Sequence, residues 1–160
     1  MSSSTIEIPP LPTITNARSP VRQLSVFLHN QVGALLSLVK LLNENSIEVL
    51  GLSVQDSAEL TLVRLIVTDP DTAKDVFDKE GLSCVSKVVI VVELHEGAND
   101  LCKVLAALLA AEINIHHSYS LMTHPGQKAH LALYVDDPEV GSEALNHGGF
   151  TLLTQGDLSR

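Results

Sequence analysis

Residues 21–88 and 89–160 run through the same order of elements twice, and a duplication at this spacing leaves few folds open. His29 has its counterpart in His95, Ile47 in Ile113, and the run N-S-I-E-V (45–49) in A-E-I-N-I (111–115), all 66 residues on. Further along, T-D-P-D (68–71) matches D-D-P-E (136–139) and Gly81 matches Gly149, now 68 residues on. A two-residue insertion in the second copy's hairpin accounts for the change. The halves are joined through Lys87-Val88 with no linker between them, so they must pack as a pair.

Each copy reads β-α-β-β-α-β. In the first, residues 23–28 alternate, with Leu24, Val26 and Leu28 on one face and Gln23 and Ser25 on the other, as in a half-buried strand. Over 33–43, Leu35, Leu38, Val39 and Leu42 recur at helical spacing and form one apolar stripe. Residues 47–54 and 60–68 form a hairpin. Asp69-Pro70 opens a second helix as N-cap and first helical residue, and Gly81 stops it before a strand over 82–88. The second copy gives a strand at 89–94, a helix at 99–111 and a hairpin of 113–122 with 128–135 around H-P-G-Q. A helix from Asp137-Pro138 to Gly148-Gly149 and a strand at 150–154 complete it. With right-handed crossovers this order gives an antiparallel sheet with helices on one face. The expected fold class is therefore α+β: two ferredoxin-like repeats packed side by side, residues 21–88 and 89–160, behind a Ser/Thr/Pro-rich tail, residues 1–20. The segment L-T-L-V-R-L-I-V (60–67) is apolar on both faces apart from Thr61 and Arg64, so a second layer, such as another subunit, is expected on the side away from the helices.

Composition narrows the function classes. Nineteen acidic residues stand against ten basic ones, a net charge of −9, and aromatics make up 3%. Neither fits a phosphate-backbone partner, a stacking platform for bases or an anionic membrane surface. Cys84 and Cys102 lie in apolar runs without metal-ligand spacing and read as free thiols in a reducing compartment. The longest apolar stretch, 104–111, is far short of a bilayer span of about 20 residues. A cytoplasmic protein is expected.

The stretch H-N-Q-V-G-A-L-L (29–36) is the chemically distinctive one. It hands a strand to a helix through Asn30 and Gly33, leaving backbone N–H groups at a helix start, where the helix dipole also favours an anion. The N–H groups of Val32, Gly33, Ala34 and Leu35 are the expected seat of a carboxylate, with the Asn30 oxygen or nearby carbonyls for an ammonium. A plain capped turn without a ligand is the alternative.

The pattern Asn30, two residues, Gly33, one residue, Leu35, opening the first helix of a ferredoxin-like repeat, resembles the ACT domain. The resemblance covers 21–155, both repeats, with no catalytic domain attached. It implies a regulatory protein that binds a small amino-acid effector between two ACT units. The binding residues would be Asn30, Gln31, Val32, Gly33, Ala34 and Leu35 from one repeat and His116, His117, Ser118 and Tyr119 from the second strand of the other. The apolar surroundings favour a small aliphatic amino acid. A homo-oligomer and an enzyme partner are further implications. The second copy departs from the pattern: Glu96 stands where Asn30 does and Asn99 where Gly33 does, and Glu96 and Asp100 would repel a carboxylate. One competent site per chain is expected.

Other chemistry finds little support. His116 and His117, adjacent on a strand, point to opposite faces and make a poor metal pair, so no metal and no cofactor is expected. Acylphosphatase-type catalysis on this fold would want an Arg in the first loop, and none lies in 29–36. No nucleophile–base order or P-loop appears, so no catalytic residue is assigned. The reading left beside the sensor is an interaction module that acts as a regulatory subunit without binding a ligand. Fold alone does not choose between them.

Overall fold

A computed structural model describes residues 19–159; the proposed tail lies outside them except for Ser19 and Pro20. The first repeat comprises β1 (Val21–His29), α1 (Ala34–Glu44), β2 (Val49–Asp56), β3 (Leu60–Val67), α2 (Pro70–Lys79) and the start of β4 (Cys84–Leu94). The second takes over within β4 and continues through α3 (Ala98–Ala110), β5 (Ile115–Ser120), β6 (Ala129–Val135), α4 (Pro138–His147) and β7 (Leu152–Leu153). A short helix, α5 (Gln155–Leu158), follows.

The helix starts follow from their caps. Asp69 accepts a hydrogen bond from the Thr72 N–H and Asp137 from the Val140 N–H, each with proline at the first helical position. The helix ends repeat as well. Ser46 and Glu112, equivalent residues, take left-handed φ values of 58° and 57°. Each lets the following isoleucine N–H reach back to a helix carbonyl, Ile47 to Leu42 and Ile113 to Leu108.

The strands form one sheet in the order β2-β3-β1-β4-β6-β5, with β7 also paired to β4. The two expected strands at the junction are one. The early part of β4 pairs with β1 (Val26 opposite Cys84, Val21 opposite Val89), and its later part pairs with β6 and β7. Each repeat thus keeps the ferredoxin-like order while sharing a strand. At 150–154 only Leu152 and Leu153 are strand. Thr154 ends it, because its hydroxyl accepts from the Asp157 N–H while the Asp157 carboxylate accepts from the Thr154 N–H, and this capping box turns the chain into α5.

Three apolar cores result. Leu24, Val26, Leu28, Val63 and Leu65 pack against Leu38 and Leu42 of α1 and Phe77 of α2. Ile90, Val92, Leu133 and Val135 pack against Val104, Leu108 and Leu145 of the second repeat's helices. The third core fills the sheet face away from the helices, with Val21, Ile66, Val89, Val91, Leu121 and Ala132. There the sheet curls until its edges meet: Gly51 of β2 bridges Leu121 beyond β5, and the Met122 N–H donates to the Leu50 carbonyl at 2.7 Å. Gly51 suits this close approach: a Cβ there would overlap Leu121 Cδ2, which would have to move aside, and would press on Tyr119. The expected second layer on β3 is therefore, over Ile66, the other repeat of the same chain. Towards Leu60 the face stays uncovered.

Candidate functional site

β1 delivers His29 to the turn, which closes with the Gln31 N–H donating to the His29 carbonyl and the Ala34 N–H to the Gln31 carbonyl. Gly33 is the N-cap of α1 at φ 84°, ψ −2°, a left-handed conformation that glycine adopts without strain. No side chain caps this helix. Asn30 does not cap α1: its Nδ2 donates to Asp56 Oδ1 at 3.3 Å, and Asp56 also accepts from the Thr61 hydroxyl. Asn30 thereby ties the turn to the β2–β3 hairpin. A groove of about 370 Å³ runs over the turn, lined by Leu28, His29, Asn30, Gln31, Gly33, Ala34, Leu35, Leu36 and Thr61. A larger one of about 650 Å³ lies along α1, where Leu38, Leu41 and Leu82 meet His29, Gln31 and Ala34. Both fall in the size range of small-molecule sites. Val32 projects fully into solvent.

The equivalent turn in the second repeat is built differently. By the 66-residue offset Ala34 corresponds to Asp100, but α3 begins at Ala98, two residues earlier than α1 does by that alignment. Asp100 therefore sits within the first helical turn, and its Oδ2 accepts from the N–H groups of His95 (2.8 Å) and Glu96 (3.0 Å). It is only 7% exposed, with Lys103 Nζ 3.8 Å from its other oxygen. The Glu96 N–H, with the His95 N–H and Lys103, holds its carboxyl below the usual carboxylate range, against the opposing effect of burial. Asp100, a carboxylate expected to repel that of a ligand, is thus held by the backbone of its own turn. Beside it, Glu93 lies 3.5 Å from Lys128 and 3.9 Å from His95.

His116, His117, Ser118 and Tyr119 do not join the first repeat's turn within one chain. Tyr119 OH donates to Gln23 Oε1 at 2.7 Å and His117 Nε2 donates to the same oxygen at 3.1 Å. Gln23 lies six residues before His29 on β1, about 20 Å at strand rise. The curl of the sheet brings β5 over the beginning of β1, while the turn is at its end. Nor do the two histidines separate cleanly to opposite faces. A bulge between Ile115 and His117 leaves both rings near Tyr134, at 5.3 and 5.0 Å between centroids. Ser118 faces solvent. Burial, Arg64 and His116 push the His117 pKa down, and burial pushes that of Tyr119 up. This polar cluster fastens one repeat to the other.

Sequence reasoning did not single out Gln23 or Gln155, and it read Asp100 differently. Gln23 is 1% exposed. Gln155 accepts from the Arg22 N–H and donates to the Val67 carbonyl, so α5 latches onto the first repeat. A polar residue in an alternating strand is the only hint of Gln23, and alternation does not say what covers it. Among the described residues no three His, Cys, Asp or Glu side chains gather as a metal site, and no helix is long and apolar enough to cross a membrane.

The sequence profile of the ACT domain pair matches residues 19–160, both repeats and the strand they share. The chain belongs to the ACT domain-pair family. Among solved structures this ACT pair is similar to protein BT0572 of Bacteroides thetaiotaomicron, at 26% identity and a TM-score of 0.77 over 88% of this chain and 96% of that one. It also resembles the regulatory subunit of aspartate kinase from Thermus thermophilus, at 14% identity and a TM-score of 0.57 over 82% and 95%. The corresponding protein of Thermus flavus gives 13% identity and a TM-score of 0.54 over 82% and 94%. These last two likenesses are of fold. No curated protein matches the chain.

Proposed function

We propose that this ACT pair is a cytoplasmic regulatory protein that senses a small amino acid at the turn of its first repeat, residues 29–36. One observation carries the reading. In the second repeat, two backbone N–H groups at the end of the strand are held by a carboxylate from the chain itself, Asp100; in the first repeat the same place holds Ala34, whose methyl group leaves that position to a carboxylate from outside. The ligand carboxylate sits at the backbone of residues 29–35, away from the Gln31 and Ala34 N–H groups that close the turn, and its side chain in the adjoining groove among Leu28, Leu35 and Leu36, which suits an aliphatic amino acid. Gln31, Val32 and Gly33 shape the entrance. The ammonium goes to the Asn30 side-chain oxygen or to nearby backbone carbonyls, the Asn30 Nδ2 being the atom spent on Asp56.

Regulation needs the ligand to prefer one of two states. Binding would order the turn, and through Asn30–Asp56 the β2–β3 hairpin, altering how the protein meets a second copy or an enzyme. The likeness to regulatory subunits of aspartate kinase fits an enzyme partner. A ligand-free interaction module is favoured by one feature, the full exposure of Val32 with Leu36 close by, which would make the turn a protein-docking knob.

Thermal shift against the twenty amino acids separates the two, because a ligand that binds only the folded state raises Tm by mass action. At 100 times its dissociation constant a single ligand stabilises by about 2.7 kcal/mol. The sensor reading predicts a shift with a small subset of amino acids, abolished by Ala34→Asp, which supplies the carboxylate internally. No shift with any amino acid favours the interaction module.

A further inference from the structure

On the face of the sheet away from the helices, the contact between the repeats stops partway along the first repeat. Val21 and Ile66 lie inside the shared core, and Gln23 lies under His117 and Tyr119. Beyond them the same face continues uncovered. Ser25 stands between Arg64 and Val85, and Phe27 opposite Leu62, with His29 opposite Leu60 at the end. Phe27 is 43% exposed, Val85 43% and Leu60 39%. Isolated apolar residues on a surface are ordinary, but neighbours in register across three strands form a patch.

The duplication supplies an internal control. By the offsets of 66 and 68 residues, Phe27, Leu62 and Leu60 correspond to Glu93, His130 and Lys128, and Glu93 and His130 keep the same cross-strand pairing. In the second repeat this end of the face is polar, and Lys128 pairs with Glu93 at 3.5 Å. The fold therefore does not need apolar side chains at these positions.

We propose that this face of the first repeat binds the same face of a second copy of the chain, about a two-fold axis. The patch continues the surface on which the second repeat already packs. Its charges also suit a self-complementary contact. At the inner end stand Arg64 and Lys87, neither in an ion pair among the described residues. At the outer end is the β2–β3 turn with the exposed Glu59; the Asp56 carboxylate is turned to the helix side, towards Asn30 and Thr61. Two copies laid antiparallel, face on face, set the acidic turn of each over the basic end of the other, with Phe27, Leu62 and Val85 between. The dimer does not depend on an amino-acid ligand: a chain that binds none would still pair this way.

Sedimentation equilibrium of the full chain, from about 1 to 200 µM, tests it, a range suited to an interface of modest area. The wild type should dimerise. The triple variant Phe27→Glu, Leu60→Lys, Leu62→His gives this face the residues of the second repeat. It should raise the dissociation constant by at least about a hundredfold, given the apolar area withdrawn from both copies, with circular dichroism unchanged. Lys87→Glu alone should weaken the dimer, and adding Glu59→Lys should restore it. A wild type that stays monomeric over the range, or a folded triple variant that still dimerises, overturns the proposal. Should the triple variant misfold, the charge swap decides, and failure of Glu59→Lys to restore association overturns it.

Discussion

Ala34 and Asp100 hold equivalent places in the two repeats, and most of what distinguishes the two turns follows from that difference. Asp100 reaches back to two N–H groups; Ala34 reaches nothing, and Gly33 instead gives the left-handed step that starts α1. The lowered pKa of Asp100 has a consequence for stability. A carboxyl whose folded pKa lies below its unfolded value of about 3.9 contributes fully above that value and loses the contribution as pH falls through the folded one. Asp100→Asn should therefore lower Tm at neutral pH, and the gap from the wild type should narrow under acid conditions. Melting curves from neutral to strongly acidic pH check this; a gap that does not depend on pH would mean that the carboxylate charge plays no part. The sequence showed Gly33 and the strand-to-helix turn because glycine and such a handover are local signals. It did not show that Asp100 fills the second turn, because that depends on α3 starting two residues early, and helix boundaries are set by which cap wins.

The strands and helices themselves were legible. Period-two and period-3.6 patterns placed the helices and longer strands to within about two residues, and the D-P pairs marked the two helix starts. What the patterns left out is what lies on the other side of each strand. Alternation put Gln23 and Ser25 on the polar side of β1, yet one is buried under β5 and the other stands beside an open patch. Nor did the pattern show that 82–88 and 89–94 are a single strand, since a shared strand and two strands with a tight join read alike. The seam between β2 and β5 turns on one glycine. Gly51→Ala should cost about 1–3 kcal/mol, the usual penalty for forcing a methyl group into a packed contact, read as a lower urea midpoint with unchanged slope. A neutral substitution would show that the seam opens readily.

Two repeats that share β4, close a common core and are latched by α5 should not unfold separately. Gln155 joins them from the C-terminal side by bonding the Arg22 N–H and the Val67 carbonyl. Its replacement by alanine leaves buried backbone groups unsatisfied, which costs about 1–3 kcal/mol. Gln155→Ala should lower Tm for the whole chain in one transition, observed together by circular dichroism and calorimetry. Two separated transitions would mean that the repeats are independent bodies. The proposed sensing role rests on such coupling: a ligand at one turn would act on a single cooperative unit and, through it, on the surface that meets a partner.

The proposal that the first turn is open and the second is filled by the chain's own carboxylate is tested most directly by amide NMR during titration with whichever amino acid raises Tm. Residues 29–36 should shift and saturate together, while His95, Glu96 and the start of α3 stay in place. Shifts centred on residues 95–101, or none in 29–36, would contradict the assignment of the site.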